Sequence, residues 1–190
     1  MTVVGGLAPV TVAVVASISD TRSGEHERGR RLLRCLIRDV LGLDEFEIAV
    51  TDRGAPHLVG SRAGVSISHT AAHTAAAVWP VGPVGVDVEE PPATLDDRLV
   101  RRCCGPWSEY VDQLPRRERA AAFARVWTVQ EACVKALGLG LAGAPWRIPV
   151  DPLAVRGRWQ RVHWAYTAIA APAALAVAVD TSTLVMGEPS

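Results

Sequence analysis

The segment around which this chain is organised reads Trp127-Thr-Val-Gln-Glu-Ala-Cys-Val-Lys-Ala-Leu-Gly138. It contains no proline and consists mainly of helix-forming residues, and its final glycine stands where a helix would end. Helical spacing places Trp127, Glu131 and Lys135 on one face, four residues apart. The segment therefore predicts a helix that carries an aromatic ring, a carboxylate and an ammonium group along a single stripe.

Lys135 is unusual because of the composition of the chain. The sequence has 20 Lys and Arg residues, and Lys135 is its only lysine. Lysine carries a compact charge on a flexible stem, whereas arginine carries a wide planar fork. A Glu–Lys pair at helical spacing is also a common surface ion pair, which contributes only about 0.2–0.5 kcal/mol. Partners elsewhere in the chain therefore decide whether the stripe indicates a functional site.

Length and composition indicate a globular protein with a core of its own. The 190 residues are 49% hydrophobic and 21% charged, and the formal net charge is zero. A neutral chain provides no general field for nucleic acid or a membrane surface, so neither partner is predicted. The cysteines lack zinc-binding spacing and are expected to be reduced, which indicates a cytoplasmic protein. They are Cys35, Cys103, Cys104 and Cys133.

Neither a signal peptide nor a membrane span is predicted. The first 19 residues contain no basic segment and are interrupted by Gly5, Gly6 and Pro9. The uncharged run 63–86 is long enough to cross a bilayer, but its histidines, glycines and prolines argue against a span.

Apolar periodicity and turn residues divide the chain into short elements. The predicted strands are Val10–Ser19, Phe46–Asp52, 64–70, Thr74–Trp79, Val84–Val88, Gln160–Thr167 and Ala174–Asp180. The predicted helices are Glu25–Leu41, Leu95–Arg102, Ser108–Gln113 and Arg116–Lys135, the last with a break near Ala121. The best linker is Glu90-Pro-Pro-Ala-Thr94, because two prolines cannot continue a regular element.

The strand Gly64-Val-Ser-Ile-Ser-His-Thr70 alternates apolar and small polar residues. Its alternation places Ser66 and Ser68 on one face and Val65 and Ile67 on the other. His69 follows Val65 and Ile67 only if the alternation continues to the end of the strand, so its direction stays open.

Two carboxylates share one face of the predicted strand that begins at Val84. Asp87 and Glu89 lie two residues apart in Gly85-Val-Asp-Val-Glu89, while Val86 and Val88 face the opposite side. Adjacent carboxylates repel each other unless a cation lies between them. Exposed acids at a strand end are also common, so chance remains an alternative for this pair alone. Hard oxygen ligands at this spacing suit Mg²⁺, which takes one or two carboxylates together with water and phosphate.

Arginine is concentrated in two places. One face of the first predicted helix is basic, and seven arginines stand against three acids between residues 98 and 125. Each surface is either an ordinary solvated face or a binding surface for an anion or an acidic partner. The basic face of the helix contains Arg28, Arg30, Arg31, Arg34 and Arg38.

Three motifs in order resemble the 4′-phosphopantetheinyl transferase superfamily, in particular its longer, Sfp-like subclass. They are Gly64-Val-Ser-Ile-Ser-His-Thr, Gly85-Val-Asp-Val-Glu and Phe123-x-x-x-Trp-Thr-x-Gln-Glu-Ala-x-x-Lys-x-x-Gly138, and the resemblance covers nearly the whole chain. It implies an α+β fold of two similar subdomains, residues 1–90 and 91–190. Each is a small antiparallel sheet packed on a long helix, and a pseudo-twofold places the active site in the cleft between them.

The resemblance also implies an activity. Such enzymes move the phosphopantetheine arm of coenzyme A to a serine of an apo acyl or peptidyl carrier protein, with Mg²⁺, and release 3′,5′-ADP. The carrier belongs to fatty acid, polyketide or nonribosomal peptide synthesis, and the sequence does not say which. A chain with two halves makes its own cleft, so a monomer is expected.

Site roles follow by position from the resemblance. Asp87, Glu89 and Glu131 match the metal ligands, and Glu131 also matches a proposed base. Lys135, Ser68 and His69 match residues that contact the phosphates of coenzyme A, and Arg30 matches an arginine near the 3′-phosphate. In chemical terms, Glu131 would take the serine proton, Lys135 would stabilise charge on the leaving group, and His69 would donate a hydrogen bond to a phosphate oxygen. Trp127 is expected in the core.

Two positions depart from the family pattern. Gln130 replaces a lysine before the helix glutamate, and Ala55 replaces a basic residue before Pro56; Arg53 or Arg62 would supply that missing charge. These departures motivate an alternative, a catalytically weak carrier-protein or nucleotide-binding module with the same fold. A third alternative is another Mg²⁺-dependent phosphotransfer or hydrolysis enzyme that uses the same three acids.

Overall fold

The computed structural model describes residues 9–16, 22–169 and 173–184. Its strands are β1 (Thr11–Ala16), β2 (Ile48–Val50), β3 (Pro56–Leu58), β4 (Gly64–His69), β5 (His73–Trp79), β6 (Val84–Glu89), β7 (Arg156–Trp159), β8 (Val162–Ala168) and β9 (Ala174–Asp180). Its helices are α1 (Arg22–Leu41), α2 (Asp97–Cys104), α3 (Ser108–Asp112) and α4 (Arg116–Ala136).

Antiparallel pairing assembles the strands into sheets. The first sheet has the order β1-β5-β4, the second has the order β6-β9-β8-β7, and β2 pairs with β3 alone. Helix α1 packs on the first sheet, and α4 packs on the second. The predicted α+β fold of antiparallel sheets and long helices is confirmed, whereas the pseudo-twofold stays a prediction. Among the described residues, none of the helices has the length and apolar character that a membrane crossing requires.

Helix α1 buries an apolar stripe formed by Leu33, Leu36 and Ile37. Close contact with the sheet is possible because Gly29 has no side chain; a Cβ there would overlap Ile67 of β4. The predicted basic face is largely exposed, which agrees with a solvated helix surface. Its exposed members are Arg30, Arg31, Arg34 and Arg38.

Helix α4 runs unbroken for 21 residues through the core of the second half. The predicted break near Ala121 is wrong, because consecutive alanines favour the helix and Ala121 lies on its exposed side. Gly85 of β6 lets the helix approach the sheet, since a Cβ at this position would overlap the carbonyl oxygen of Ala132. Asp87 and Glu89, which alternate with Gly85 on the same strand face, are therefore directed towards α4.

The two larger sheets meet where edge strand β4 lies beside edge strand β6. No backbone ladder joins these strands in the described residues. Instead, the amide of Val86 donates to Ser66 Oγ over 3.0 Å, and that of Val88 donates to Ser68 Oγ over 3.4 Å. Both serines are buried. We call this row of hydroxyl-to-amide bonds between β4 and β6 the serine seam.

Several element boundaries differ from the sequence predictions. Helix α1 begins at Arg22 rather than at Glu25, because serine and glycine are compatible with the start of a helix. The end of the first predicted strand, residues 17–19, lies outside the described residues. The predicted strand Gln160–Thr167 begins only at Val162 as β8, because Gln160 adopts a φ of 53° and turns the chain between β8 and the unpredicted strand β7 that precedes it.

The short pair β2–β3 also differs in part from expectation. Strand β3 begins at Pro56, which was expected in a turn; a proline is compatible with the first residue of a strand. The predicted division at residue 90 stays a prediction. Strand β6 lies on its N-terminal side but hydrogen-bonds with β9 of the second sheet.

We expect Ser66→Ala to destabilise the fold by about 1–3 kcal/mol, because the buried amide of Val86 loses its acceptor. Chemical denaturation followed by tryptophan fluorescence measures the change. Ser61→Ala is the matched control, since Ser61 Oγ accepts the amide of Ala63 at an exposed position where water can replace it. If both variants lowered the free energy of unfolding by the same amount, the structural role of the serine seam would be contradicted.

Candidate functional site

Lys135 lies at the serine seam, where its ammonium contacts β4 of the first sheet and β6 of the second. Its Nζ donates to Asp87 Oδ1 over 2.6 Å, to Ser68 Oγ over 3.1 Å and to the carbonyl of Val86 over 3.3 Å. The ammonium reaches this position because Lys135 follows Glu131 by one turn on the face of α4 that meets β6. The only lysine of the chain is therefore an internal ion-pair partner and not a freely solvated surface charge.

Asp87 is the most enclosed of the acids, with 3% of its surface exposed. Its Oδ1 accepts the hydroxyl of Ser68 over 2.8 Å in addition to the Lys135 ammonium. Burial raises the pKa of Asp87, while Lys135 and then Ser68 oppose that rise. Because the 2.6 Å contact is typical of a charge-assisted hydrogen bond, we describe the pair as an ammonium and a carboxylate.

Glu89 and Glu131 complete a cluster of three acids. Burial and then the charge of Asp87 raise the pKa of Glu89 to about 7, with Glu131 adding to the rise; Lys135 and a hydrogen bond from Trp127 lower it. Burial, followed by the charge of Asp87, also raises the pKa of Glu131. Asp87 and Glu89 share the face of β6 that meets α4, and Glu131 lies on α4, so the three acids lie on the same side of the second sheet. We call Asp87, Glu89 and Glu131 the acid cluster.

The donor chemistry of the acid cluster fits Mg²⁺, although its present spacing is not that of a complete ligand set. Asp87 Oδ2 and Glu131 Oε1 are buried oxygens without a hydrogen-bond partner, which is costly unless a cation completes them. Hard carboxylate oxygens are the ligands that Mg²⁺ prefers. Within the described ranges, no three His, Cys, Asp or Glu side chains are arranged to hold an ion together. The cation that does contact Asp87 is Lys135.

A cavity of about 660 Å³ opens beside the cluster. The turn between β2 and β3, strand β4 and the end of α4 form its wall, which includes Glu131 and Lys135. Arg53 and Arg62 also line it, and Arg53 Nη1 donates to the carbonyl of Gly138 over 2.9 Å. The cavity thus has room for a drug-sized or larger ligand and carries three cations on its wall.

The remaining predicted contacts lie elsewhere. Arg30, Ser68 and His69 do not line the cavity. Arg30 is exposed on α1, and the hydroxyl proton of Ser68 is donated to Asp87. His69, at the end of β4, lies beside His26 of α1, with 5.0 Å between ring centroids. Arg30 follows His26 by four residues on α1, one turn farther along the helix. The cofactor-binding roles of Arg30, Ser68 and His69 stay predictions.

The two departures from the family pattern have different structural contexts. Gln130 points away from the cavity into the core, where its Nε2 donates to the carbonyls of Cys103 and Ile148 over 2.8 and 2.9 Å. It therefore joins α4 to α2 and to the chain at Ile148, and its loss of charge does not bear on the cavity. Ala55 does line the cavity, together with Arg53.

Sequence reasoning missed two members of the site. Trp127 was expected only in the core; its ring stacks on that of Phe123 with 6.5 Å between centroids, and its side chain also lowers the pKa of Glu89. Its position on the same helical stripe as Glu131 was the sequence feature that could have indicated a place near the acids. His26 was not singled out, although its spacing from Arg30 on α1 was readable from the sequence.

We expect Glu89→Gln to flatten the pH dependence of folding stability. The folded protein holds a proton on Glu89 up to about pH 7, whereas the unfolded chain releases it near 4.5, so stability falls as pH rises between these values. Chemical denaturation in the presence of a metal chelator, repeated between about pH 5 and about pH 8, measures how the free energy of unfolding changes with pH. The exposed Glu45→Gln is the control, and a variant slope equal to the wild-type slope would contradict the assignment.

Comparisons with known proteins bear on the family to which the chain belongs. The model of the 4′-phosphopantetheinyl transferase superfamily matches residues 83–178, which include the acid cluster and Lys135. The chain is 31% identical over 131 residues to the 4′-phosphopantetheinyl transferase HetI of Nostoc sp. (strain PCC 7120), and the alignment covers 62% of this chain and 55% of HetI. The chain thus spans little more than half the length of this relative, and the Sfp-like subclass stays a prediction. The family match, over half of the chain, shows that this protein belongs to the 4′-phosphopantetheinyl transferase superfamily.

Proposed function

We propose that this protein transfers the 4′-phosphopantetheine arm of coenzyme A to a serine hydroxyl of an apo carrier protein and releases 3′,5′-ADP. The observation that carries the proposal is the position of Lys135, which pairs with Asp87 beside Glu131 on the wall of a large cavity. Membership of the transferase superfamily supports the reaction class. The chain covers only part of HetI, so activity, substrate and partner are all proposed here.

Coenzyme A would occupy the cavity of about 660 Å³, whose volume is within the usual range for cofactor sites. Arg53 and Lys135 provide positive charge for its phosphates, and Arg62 adds a third cation. Arg30 of α1 is assigned to the 3′-phosphate, and His69, at the end of β4, is assigned to a phosphate of coenzyme A. Ser68 contributes by holding Asp87 and Lys135, and its predicted contact with a phosphate requires a change of its hydroxyl bond.

Asp87, Glu89 and Glu131 are the residues that would hold Mg²⁺. Their two buried oxygens without partners are the structural reason to expect a cation there. Bound Mg²⁺ supplies charge neutralisation on the pyrophosphate and polarises the phosphorus that is attacked.

The side chains of this site have distinct tasks in the transfer. Glu131 accepts the proton of the attacking serine hydroxyl, as its raised pKa favours. The serine oxygen then forms a bond to the phosphorus next to the pantetheine arm, and the bond from that phosphorus to the 3′,5′-ADP oxygen breaks. Lys135 stabilises the negative charge that develops on the departing oxygen. His69 donates a hydrogen bond that orients a phosphate.

The carrier would approach from the second half of the chain. Arg116 and Arg117 are exposed in the first turn of α4, within the arginine-rich stretch of the sequence. An acidic carrier helix is the complementary partner for such a surface. Of the two residues that motivated a binding-only module, Gln130 makes core contacts. That alternative is therefore supported only by Ala55.

The reaction is tested by the intact mass of apo acyl and peptidyl carrier proteins after incubation with this protein, coenzyme A and Mg²⁺. We expect one carrier to gain the mass of a single phosphopantetheine arm on its serine. If no carrier of the panel is modified while coenzyme A still binds, the binding module is favoured. Release of 3′,5′-ADP without any carrier would instead favour hydrolysis.

We expect Glu131→Gln to slow arm transfer by about 100-fold or more, because removing a positioned proton acceptor typically costs 10²–10⁴ in rate. The rate is measured by the same mass assay at saturating coenzyme A. Glu118→Gln is the matched control, since Glu118 is an exposed glutamate in the first turn of the same helix. Wild-type rates in Glu131→Gln would overturn the assigned mechanism.

A further inference from the structure

We propose that Lys135 is a built-in counter-ion of the acid cluster, which gives up Asp87 when a divalent cation binds and then offers its N–H donors to an anion in the cavity. The proposal rests on the proposed function, in particular on the acid cluster as a metal site. It adds that the cation and the anionic cofactor bind cooperatively through one side chain.

The hydrogen bonds of Lys135 are the first observation. An ammonium group has three N–H donors, and three acceptors surround this one: Asp87 Oδ1, Ser68 Oγ and the carbonyl of Val86. With all three donors used inside the protein, none is left for a phosphate. Lys135 must therefore break at least one of these bonds before it can contact a ligand.

The charges around Lys135 are the second observation. The Lys135 ammonium lies 2.6 Å from Asp87 Oδ1, and Glu131 precedes Lys135 by one turn of α4 on the same cavity wall. Glu89 shares with Asp87 the face of β6 that meets α4. One positive charge faces as many as three negative ones. A divalent cation at a similar distance would interact about twice as strongly as the ammonium, so it is favoured at the same acceptor.

The oxygens that Lys135 leaves uncompensated are the third observation. Asp87 Oδ2 and Glu131 Oε1 are buried without partners although the ammonium contacts Asp87 Oδ1. The acids are also not arranged as a complete ligand set in this state. A lysine in the place of the cation accounts for both facts, because it satisfies one oxygen of one acid and leaves the others unpaired.

The location of Lys135 links this exchange to the cavity. Its side chain is 29% exposed and forms part of the cavity wall, whereas Asp87 is almost fully enclosed. When Lys135 leaves Asp87, its flexible stem can turn the ammonium towards the cavity while α4 stays in place. Cation binding at the acids would thereby create the phosphate contact, and an anion in the cavity would favour cation binding in return.

The first test uses the composition of the chain. Because Lys135 is the only lysine, isotope-labelled lysine gives a single side-chain resonance in the wild-type protein. We expect this ammonium to exchange slowly with water in the metal-free protein. Addition of Mg²⁺ without coenzyme A should shift the resonance and accelerate exchange by about tenfold or more, as for an ammonium that moves from internal hydrogen bonds to solvent. An unchanged resonance at Mg²⁺ concentrations that saturate the protein would overturn the proposal.

The second test measures Mn²⁺ affinity by the electron paramagnetic resonance of the free ion, without coenzyme A. We expect Lys135→Met to bind Mn²⁺ about tenfold more tightly than wild type, because a close charge changes the affinity of a carboxylate for a cation by about that factor or more. Arg62→Met is the matched control: it removes one cation from the same cavity wall, and Arg62 is not among the described groups that interact with Asp87, so it should change affinity less than threefold.

Equal effects of the two variants would show that only general charge matters and would overturn the exchange. The exchange would also be overturned if Lys135→Met bound Mn²⁺ no more tightly than wild type. Absence of Mn²⁺ binding in both proteins would overturn it as well. Neither test measures arm transfer. An inactive protein that shows the exchange would refute the proposed function alone, and an active protein without the exchange would refute this inference alone.

Discussion

Two strand edges joined by serine hydroxyls set the geometry on which everything else in this molecule depends. A backbone ladder would have merged β4 and β6 into one continuous sheet, but the hydroxyls of Ser66 and Ser68 accept amides of β6 instead. The strands stay close while each sheet packs on its own helix, and a further apolar core between the two sheets holds Ala77 and Trp79 of β5 against Val86 of β6. Because Ser68 also donates to Asp87, the same contact that joins the halves holds the central acid of the site.

Small residues make this approach possible. Gly64 leaves room for the backbone at Gly82, and it alternates with the two serines on one face of β4. Gly85 has the same role between β6 and α4, where it brings the helix close enough for Lys135 to reach Asp87. The small residues of the β4 motif bring β4 close to β6, and the glycine of the β6 motif brings α4 close to β6, so together they place Lys135 beside Asp87.

The sequence predicted those parts of the site that depend on local periodicity. Strand alternation placed Asp87 and Glu89 on one face, and helical spacing placed Glu131 and Lys135 on one stripe, as the structure has them. It could not predict which groups would meet, since the contact of Lys135 with Ser68 and the core contacts of Gln130 arise only from tertiary packing. Strands β3 and β7 were missed because they are only three and four residues long and lack an apolar alternation.

Strand β6 has a consequence for the covalent continuity of the chain. It precedes the proline-rich segment after residue 90, yet it hydrogen-bonds with β9 near the C-terminus. A chain severed in that segment would yield an N-terminal piece ending in an unpaired strand and a C-terminal piece lacking one. Recombination of such pieces would proceed by strand donation across the cut, and neither piece alone would contain both Asp87 and Lys135.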